Sequence, residues 1–114
     1  MAVQNFDGSI RIIAAATIVP YVLVKPDGTL CAVSLTKTHA GLSQENAVST
    51  KLVTLVNPAG KVMKVTANAA FAVGAAVYYD ANGTVGTTAA SNTQVGVAID
   101  AAAGAGSVVA VAFY

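Results

Sequence analysis

Residues 76–85 of this 114-residue chain, AVYYDANGTV, contain the pattern that decides the fold. A short apolar and aromatic run, Ala76 to Tyr79, is followed by the turn residues DANG, and Asn-Gly is the strongest short signal for a β-hairpin. Similar clusters of Gly, Pro, Asn and Asp occur at residues 26–28, 57–60 and 104–106. Short strands separated by such turns are typical of all-β proteins, so we predict a small all-β barrel or sandwich.

Seven runs rich in Val, Ile, Thr and Tyr are the predicted strands. They are residues 17–24, 30–35, 51–56, 62–66, 76–79, 94–99 and 107–113. In the last two runs large and small apolar residues alternate with little polarity, which indicates strands central in a sheet or within a subunit interface. The one candidate helix, residues 40–48, is disfavoured by the β-branched residues around it.

Charge is scarce along the whole chain. Asp, Glu, Lys and Arg make up 10% of residues, against about 25% in typical domains, and the formal net charge is +1. The basic residues are spread from Arg11 to Lys64 and form no cluster that would bind nucleic acid or an anionic membrane. The high apolar content excludes disorder, and the longest uncharged apolar stretch, residues 12–24, is too short to span a bilayer. We expect a folded domain with no nucleic-acid partner and no membrane partner.

The chain also resembles itself at an offset of 55 residues. Ten of the 44 pairs formed by residues 13–56 are identical, and about four are expected by chance in this composition. Gly28 matches Gly83, which indicates that two hairpin turns require the same positive φ. We predict two related β-units, 13–56 and 68–111, packed as halves of one domain, with chance similarity as the alternative.

Few residues offer catalytic or ligand chemistry. The single Cys31 lies among apolar residues, typical of an inert core thiol, and the single His39 lies among polar residues, typical of a loop. No nucleophile motif accompanies either residue, and one His with one Cys is too few ligands for zinc. Asp80 begins a fragment of a calcium loop, but no acidic residue follows until Asp100. We predict no catalytic, cofactor or metal site and no enzymatic activity.

Residues 62–65, VMKV, resemble the hairpin of biotinyl and lipoyl carrier domains, where a lysine beside methionine carries the cofactor. Here Lys61 and Val62 stand where an acidic residue is expected, and the glycine turn at 57–60 precedes the lysine instead of centring on it. A carrier domain modified at Lys64 is kept as an alternative function.

The second half of the chain resembles the small bacteriophage capsid decoration (cement) proteins. The shared features are an apolar strand containing Gly74 and Tyr78, a Gly-Thr-Val turn at 83–85, a Gly-Val-Ala strand at 96–98 and a Val-rich last strand at 108–111. The resemblance covers about residues 21–114. It departs from the family pattern at Ala75, where the family usually has Asp.

This resemblance implies a structural virion protein rather than an enzyme. Proteins of the family are β-rich, often trimeric, and bind the major capsid protein on the outer capsid surface, where they bridge coat subunits. The implied protein is made in the host cytoplasm and uses no cofactor. A secreted surface-assembly subunit is the third alternative.

Residues 1–16 lie mostly outside the repeat, and residues 17–114 are the predicted β-domain. The N-terminal segment is either an arm, which would dock on a coat protein or a neighbouring copy by strand addition, or the first strand of the domain's own sheet. The candidate contact residues are Val3, Phe6, Ile10, Ile12 and Ile13.

Overall fold

The structure, a computed structural model, describes Val3–Gln4 and residues 9–114, with the backbone alone for Val3, Gln4 and Ser9. Within these residues ten strands form two five-stranded sheets. The strands are β1 Val3–Gln4, β2 Ser9–Ile13, β3 Leu23–Val24, β4 Gly41–Ser43, β5 Leu52–Val56, β6 Val62–Thr66, β7 Ala76–Tyr79, β8 Val85–Gly86, β9 Gln94–Ala98 and β10 Val108–Phe113.

The strand order is β1-β2-β5-β4-β3 in the first sheet and β6-β10-β9-β7-β8 in the second. All pairs of neighbouring strands run antiparallel. The two sheets form an open sandwich, so the prediction of an all-β fold is confirmed.

Two apolar clusters form the interior. The smaller one belongs to the first half of the chain and includes Ile12 and Leu55. The larger one lies on the inner face of the second sheet and also takes in Leu23, Cys31 and Leu42 from the first half. Because these three side chains are fully buried there, the two halves cannot separate without exposing them to water.

The two sheets repeat the same backbone contacts. In the first, Ala14 N–H donates to Lys51 O at 2.8 Å, and in the second, Ala67 N–H donates to Ser107 O at 2.7 Å. Ala67 follows Ala14 by 53 positions, and Ser107 follows Lys51 by 56. Both contacts continue a ladder made by the last strand of each half, which is β5 paired with β2 in the first half and β10 paired with β6 in the second.

A second matched pair lies four residues further along the chain in each half, at Ile18 and at Phe71. Ile18 and Ala47 exchange two backbone hydrogen bonds, and so do Phe71 and Ala102. The offsets are 53 and 55 positions, so the matched contacts do not follow one constant offset. A register shift between Val77 and Tyr78 interrupts the β7–β9 ladder in the second half. These contacts support the predicted repeat, which itself stays a prediction.

Two predicted strands are much shorter in the structure. The run 17–24 forms an isolated bridge at Ile18 and strand β3, because Pro20 has no N–H and Tyr21 takes a φ of 65° between them. The run 30–35 pairs only at Leu30 and then continues as a loop toward the second sheet. The alternation of residue types did not reveal these interruptions.

The candidate helix at 40–48 is wrong. Residues 41–43 are strand β4, and Ala47 forms the bridge to Ile18. By contrast, the predicted strands 62–66 and 76–79 are confirmed with their predicted limits. The runs 94–99 and 107–113 form β9 and β10, which are central in the second sheet as predicted.

Gly83 lies where the β7–β8 turn approaches the first half of the chain. Its N–H donates to Cys31 O at 2.7 Å, and its φ is 76°. A Cβ at this position would lie 2.6 Å from Leu23 O. Gly28 has a φ of 86°, and a Cβ there would overlap Ile13 O. Positive φ at both glycines is therefore confirmed.

We expect Gly83→Ala to lower the free energy of unfolding by about 2 kcal/mol or more, because a left-handed alanine is strained and its Cβ meets rigid backbone. Gly104→Ala is the matched control, since no atom lies within 4 Å of a Cβ built there. The control should change stability by less than about 0.5 kcal/mol. Urea denaturation measures both variants, and equal stabilities would contradict the assigned role of Gly83.

Candidate functional site

The side chains with catalytic or ligand chemistry lie apart from one another. Among the described residues, no group of three or more His, Cys, Asp and Glu is placed to hold a metal ion. Cys31 is buried in the larger core, and burial raises the pKa of its thiol to about 11, so it stays protonated and is a weak nucleophile. Lys64 lies in the middle of β6, opposite Ala110, and not at a turn as in a carrier domain.

Among the described residues, no helix has the length and apolar character that crossing a bilayer requires.

The second sheet has one face whose side chains are exposed or half-buried. Side chains on β6 and β10 alternate between the larger core and this face. We call it the outer face, formed by Val62, Lys64, Thr66, Ala76, Tyr78, Val97, Val108, Ala110 and Ala112. Val62 and Val108 are 60% and 45% exposed, and Lys64 is the one charged member of this set.

The outer face carries mostly small and β-branched side chains. Four strands at the usual spacing, with about five residues each, cover roughly 300 Å². Apolar patches of a few hundred Å² on soluble proteins often mark interaction sites. The outer face is therefore a candidate docking surface.

A second apolar surface lies on the first sheet. Ile13 on β2 is directly opposite Leu52 on β5, and these side chains are 50% and 55% exposed. Val48, 59% exposed, lines the same open depression as Leu52, with Thr17 and Lys51 also on its walls. We call Ile13, Val48 and Leu52 the apolar patch.

The predicted contact residues differ in how exposed they are in the structure. Phe6 lies outside the described residues, and Val3 is described by its backbone, which pairs with β2. Ile10 is half-buried and Ile12 is buried, and both pack in the smaller core, whereas Ile13 is exposed. Contact with the capsid or a neighbouring subunit through these residues stays a prediction. Of the three whose side chains are described, Ile13 is the most accessible to a partner.

The N-terminal strands belong to the domain's own first sheet. β2 pairs with β5 along its length, and β1 pairs with β2 at the sheet edge. This is the arrangement of the edge-strand alternative, and docking of an arm on another protein stays a prediction.

Sequence reasoning missed Val48 and Leu52. Leu52 begins a predicted strand, and a strand pattern does not tell which of its apolar positions face solvent. In the structure the burial of residues 52–56 runs exposed, buried, half-buried, buried, half-buried, but the sequence LVTLV has one polar residue and does not show this alternation. Val48 lies outside any strand, so no periodic signal identified it.

Tyr79 connects the loop 31–40 to the second sheet. Its side chain is fully buried, and its hydroxyl accepts the N–H of Thr38 at 2.8 Å and the N–H of His39 at 3.3 Å. The hydroxyl also lies 2.5 Å from His39 Nδ1. Because it accepts two N–H bonds, its own proton is directed to Nδ1, which requires a neutral imidazole protonated at Nε2.

Burial, and to a smaller extent the charge of Lys37, lower the pKa of His39. Burial likewise raises the pKa of Tyr79. The loop assignment of His39 is confirmed, and its contact with Tyr79 adds a structural role that the sequence did not reveal.

Further polar contacts join the same loop to residues 87–93. Thr93 Oγ1 donates to Ser34 O at 2.9 Å, and Ser34 N–H donates to Asn92 Oδ1 at 3.3 Å. Asn92 Nδ2 in turn donates to Tyr79 O at 2.7 Å. The junction between the halves therefore combines a buried apolar core with hydrogen bonds at its rim.

Comparison with known protein families gives a match to one model. The family described as phage cement protein matches residues 3–113, which include both sheets. The chain belongs to the phage cement protein family. The resemblance predicted from the second half is confirmed, and the match also takes in the N-terminal strands.

Among solved structures, the fold of this cement-family chain is similar to the crystal structure of the head fiber gp8.5 N base in bacteriophage phi29. The two share 19% sequence identity with a TM-score of 0.74, over 100% of this chain and 95% of that one. At this identity the likeness shows a common fold. A search of curated proteins finds no match.

Family membership identifies the protein as a structural component of the phage virion and implies that it binds the capsid. The charge-poor outer face and the apolar patch are two surfaces that fit this role. Both consist of side chains whose burial against a partner is favourable.

We expect the free energy of unfolding to fall as the pH drops below about 6.5, the ordinary pKa of His39. The folded pKa is lower, so the unfolded chain binds the proton first, and stability present above pH 6.5 is lost as the pH falls through the folded pKa. The slope is at most about 1.4 kcal/mol per pH unit. Urea denaturation at a series of pH values measures it.

His39→Asn is the control for this prediction, because its side-chain oxygen keeps an acceptor for the Tyr79 hydroxyl but does not titrate. The sequence has one histidine, so His39→Asn should lack the loss of stability that protonation of His39 causes in the wild type. A wild-type slope that persists in His39→Asn would show that another group causes the pH dependence.

Proposed function

We propose that this protein binds the outer surface of a phage capsid as a homotrimer and stabilises the shell by bridging coat-protein subunits. The observation that carries the proposal is the cement-family match over residues 3–113. The proposed role is structural and requires no catalytic group and no cofactor.

Two features of the structure support a bridging role. A bridging protein needs at least two contact surfaces, and the apolar patch and the outer face lie on different sheets. Low charge also suits a docked surface, because charged residues are depleted in the buried centres of protein interfaces.

Assembly would cover these surfaces, so we expect little isolated monomer in solution. A mass measurement in solution tests this expectation.

The proposed stabilisation follows from mass action. A ligand that binds the assembled shell and not its dissociated subunits adds stability that grows with the logarithm of its free concentration over Kd. At a concentration 100 times Kd this amounts to about 2.7 kcal/mol per site.

The direct test uses purified capsids that lack the protein. We expect the full chain to co-sediment with these capsids and to raise their temperature of thermal disruption, with a rise that increases with concentration. Absence of binding, or binding without a rise in that temperature, would overturn the proposed stabilising function.

The apolar patch gives a residue-level prediction. Leu52→Asp places a charge directly opposite Ile13, and we expect at least about tenfold weaker capsid binding, because a buried unpaired carboxylate costs more than about 1.4 kcal/mol. Binding falls whether the patch contacts the coat or a neighbouring copy, since a dissociated trimer loses its multivalent attachment.

Ala105→Asp is the matched control, because it adds the same charge at an exposed position in the 104–106 turn. It should bind as the wild type does. The solution mass of Leu52→Asp then separates the two contacts: a monomer assigns the patch to the subunit interface, and an intact oligomer assigns it to the coat. Unchanged binding of Leu52→Asp would contradict a contact role for the patch.

A further inference from the structure

Strand β6 is an edge strand of the second sheet. It pairs with β10 on one side, with Lys64 opposite Ala110. Ala67 N–H points toward β10, where it donates to Ser107 O, and Thr66 N–H points away and donates to Tyr21 O at 2.8 Å. Because strand amides alternate in direction, the N–H and C=O groups of Val62 and Lys64 also point away from β10.

Among the described residues, no backbone group pairs with this outer side of Val62 or Lys64. Both residues are exposed. The β6 edge therefore presents unpaired backbone donors and acceptors next to the outer face.

The first sheet has the corresponding edge, and there it is occupied. Arg11 on β2 precedes Lys64 by 53 positions, the same offset that relates Ala14 to Ala67. Arg11 is directly opposite Val3 on β1, which pairs antiparallel with β2. The strand arrangement of this fold thus accepts an added strand at the position that is open on β6.

Exposed lysines often protect edge strands from pairing with other chains. That explanation is insufficient for Lys64, because Arg11 is also basic and exposed, yet its edge carries β1. A basic residue at this position is compatible with strand addition.

The charge of Lys64 also restricts the occupant. Two-fold pairing of β6 with a second copy, in the register that uses the outward groups of both Val62 and Lys64, would place the two Lys64 side chains diagonally on one face of neighbouring strands, where like charges repel. A segment with a carboxylate opposite Lys64 has the complementary charge. An apolar side chain opposite Val62 would cover part of the outer face.

We propose that the β6 edge binds an extended segment of the coat protein as an added antiparallel strand, with an acidic residue opposite Lys64 and an apolar residue opposite Val62. This proposal rests on the proposed capsid binding and specifies its contact. The added strand would form backbone hydrogen bonds with both residues, and specificity would come from the side chains on the outer face.

Amide hydrogen exchange tests the backbone contact directly. The full chain is compared alone and bound to undecorated capsids, and the amides of Val62 and Lys64 are followed. We expect their exchange to slow by at least about tenfold on the capsid, because each gains a backbone acceptor. Protection already present in the capsid-free oligomer would identify a second copy as the occupant and overturn the proposal.

Three variants at one position separate the backbone contact from the charge. Lys64→Pro removes the outward N–H and should weaken capsid binding by at least about tenfold. Lys64→Glu keeps the N–H and reverses the charge, and it should also bind more weakly. Lys64→Arg is the matched control, which keeps both features and should bind as the wild type does.

Thermal unfolding checks that each variant is folded. If Lys64→Pro does not fold, Val62→Pro replaces it, because proline is tolerated at the first residue of a strand. Strand addition would be overturned if the wild type binds capsids while the amides of Val62 and Lys64 stay unprotected. It would also be overturned if a folded proline variant binds as tightly as the wild type. Either result would leave the proposed capsid-binding function standing. Failure of the wild type to bind capsids would overturn the proposed function itself.

Discussion

The burial of Tyr79 between the two halves is the interaction on which the rest of the structure depends. Its ring lies in the larger core with Leu23, Cys31 and Leu42, and its hydroxyl accepts backbone N–H groups of the loop 31–40. A buried hydroxyl without partners would cost about 1–3 kcal/mol, so the loop must be in place when the ring is buried. The loop in turn holds residues 87–93 through Ser34 and Asn92.

This junction explains how a chain with so few charges forms one stable unit. Each half forms one sheet of short strands, which alone would expose much of its apolar surface. When the inner face of the second sheet packs against the first half, the apolar surfaces of both are buried in the larger core. The outer face and the apolar patch are not covered by this packing. Low charge on these surfaces is compatible with burial in an interface, and membership of the phage cement protein family implies that the partner is the phage capsid.

The candidate site was only partly predictable. The apolar residues of β2 are recognisable from the sequence, but the sequence does not tell which face of the strand meets solvent; only the structure shows that Ile12 is buried and Ile13 is exposed. Leu52 and Val48 were missed because their exposure depends on what other strands cover. The open edge of β6 was also invisible to sequence, since VMKV has the same local pattern whether β6 is central or at an edge.

The sequence by itself determined the all-β class, the limits of β6 and β7, the positive φ of Gly28 and Gly83, and the family. These properties are local, because turn residues and β-branched runs act through the dihedral preferences of their own backbone. Only the tertiary structure decided that residues 17–24 and 30–35 break into bridges and loops, which face of each sheet is buried, and which edge stays open. Those outcomes depend on contacts between residues distant in sequence, where burial and backbone pairing with a particular neighbour outweigh local preference.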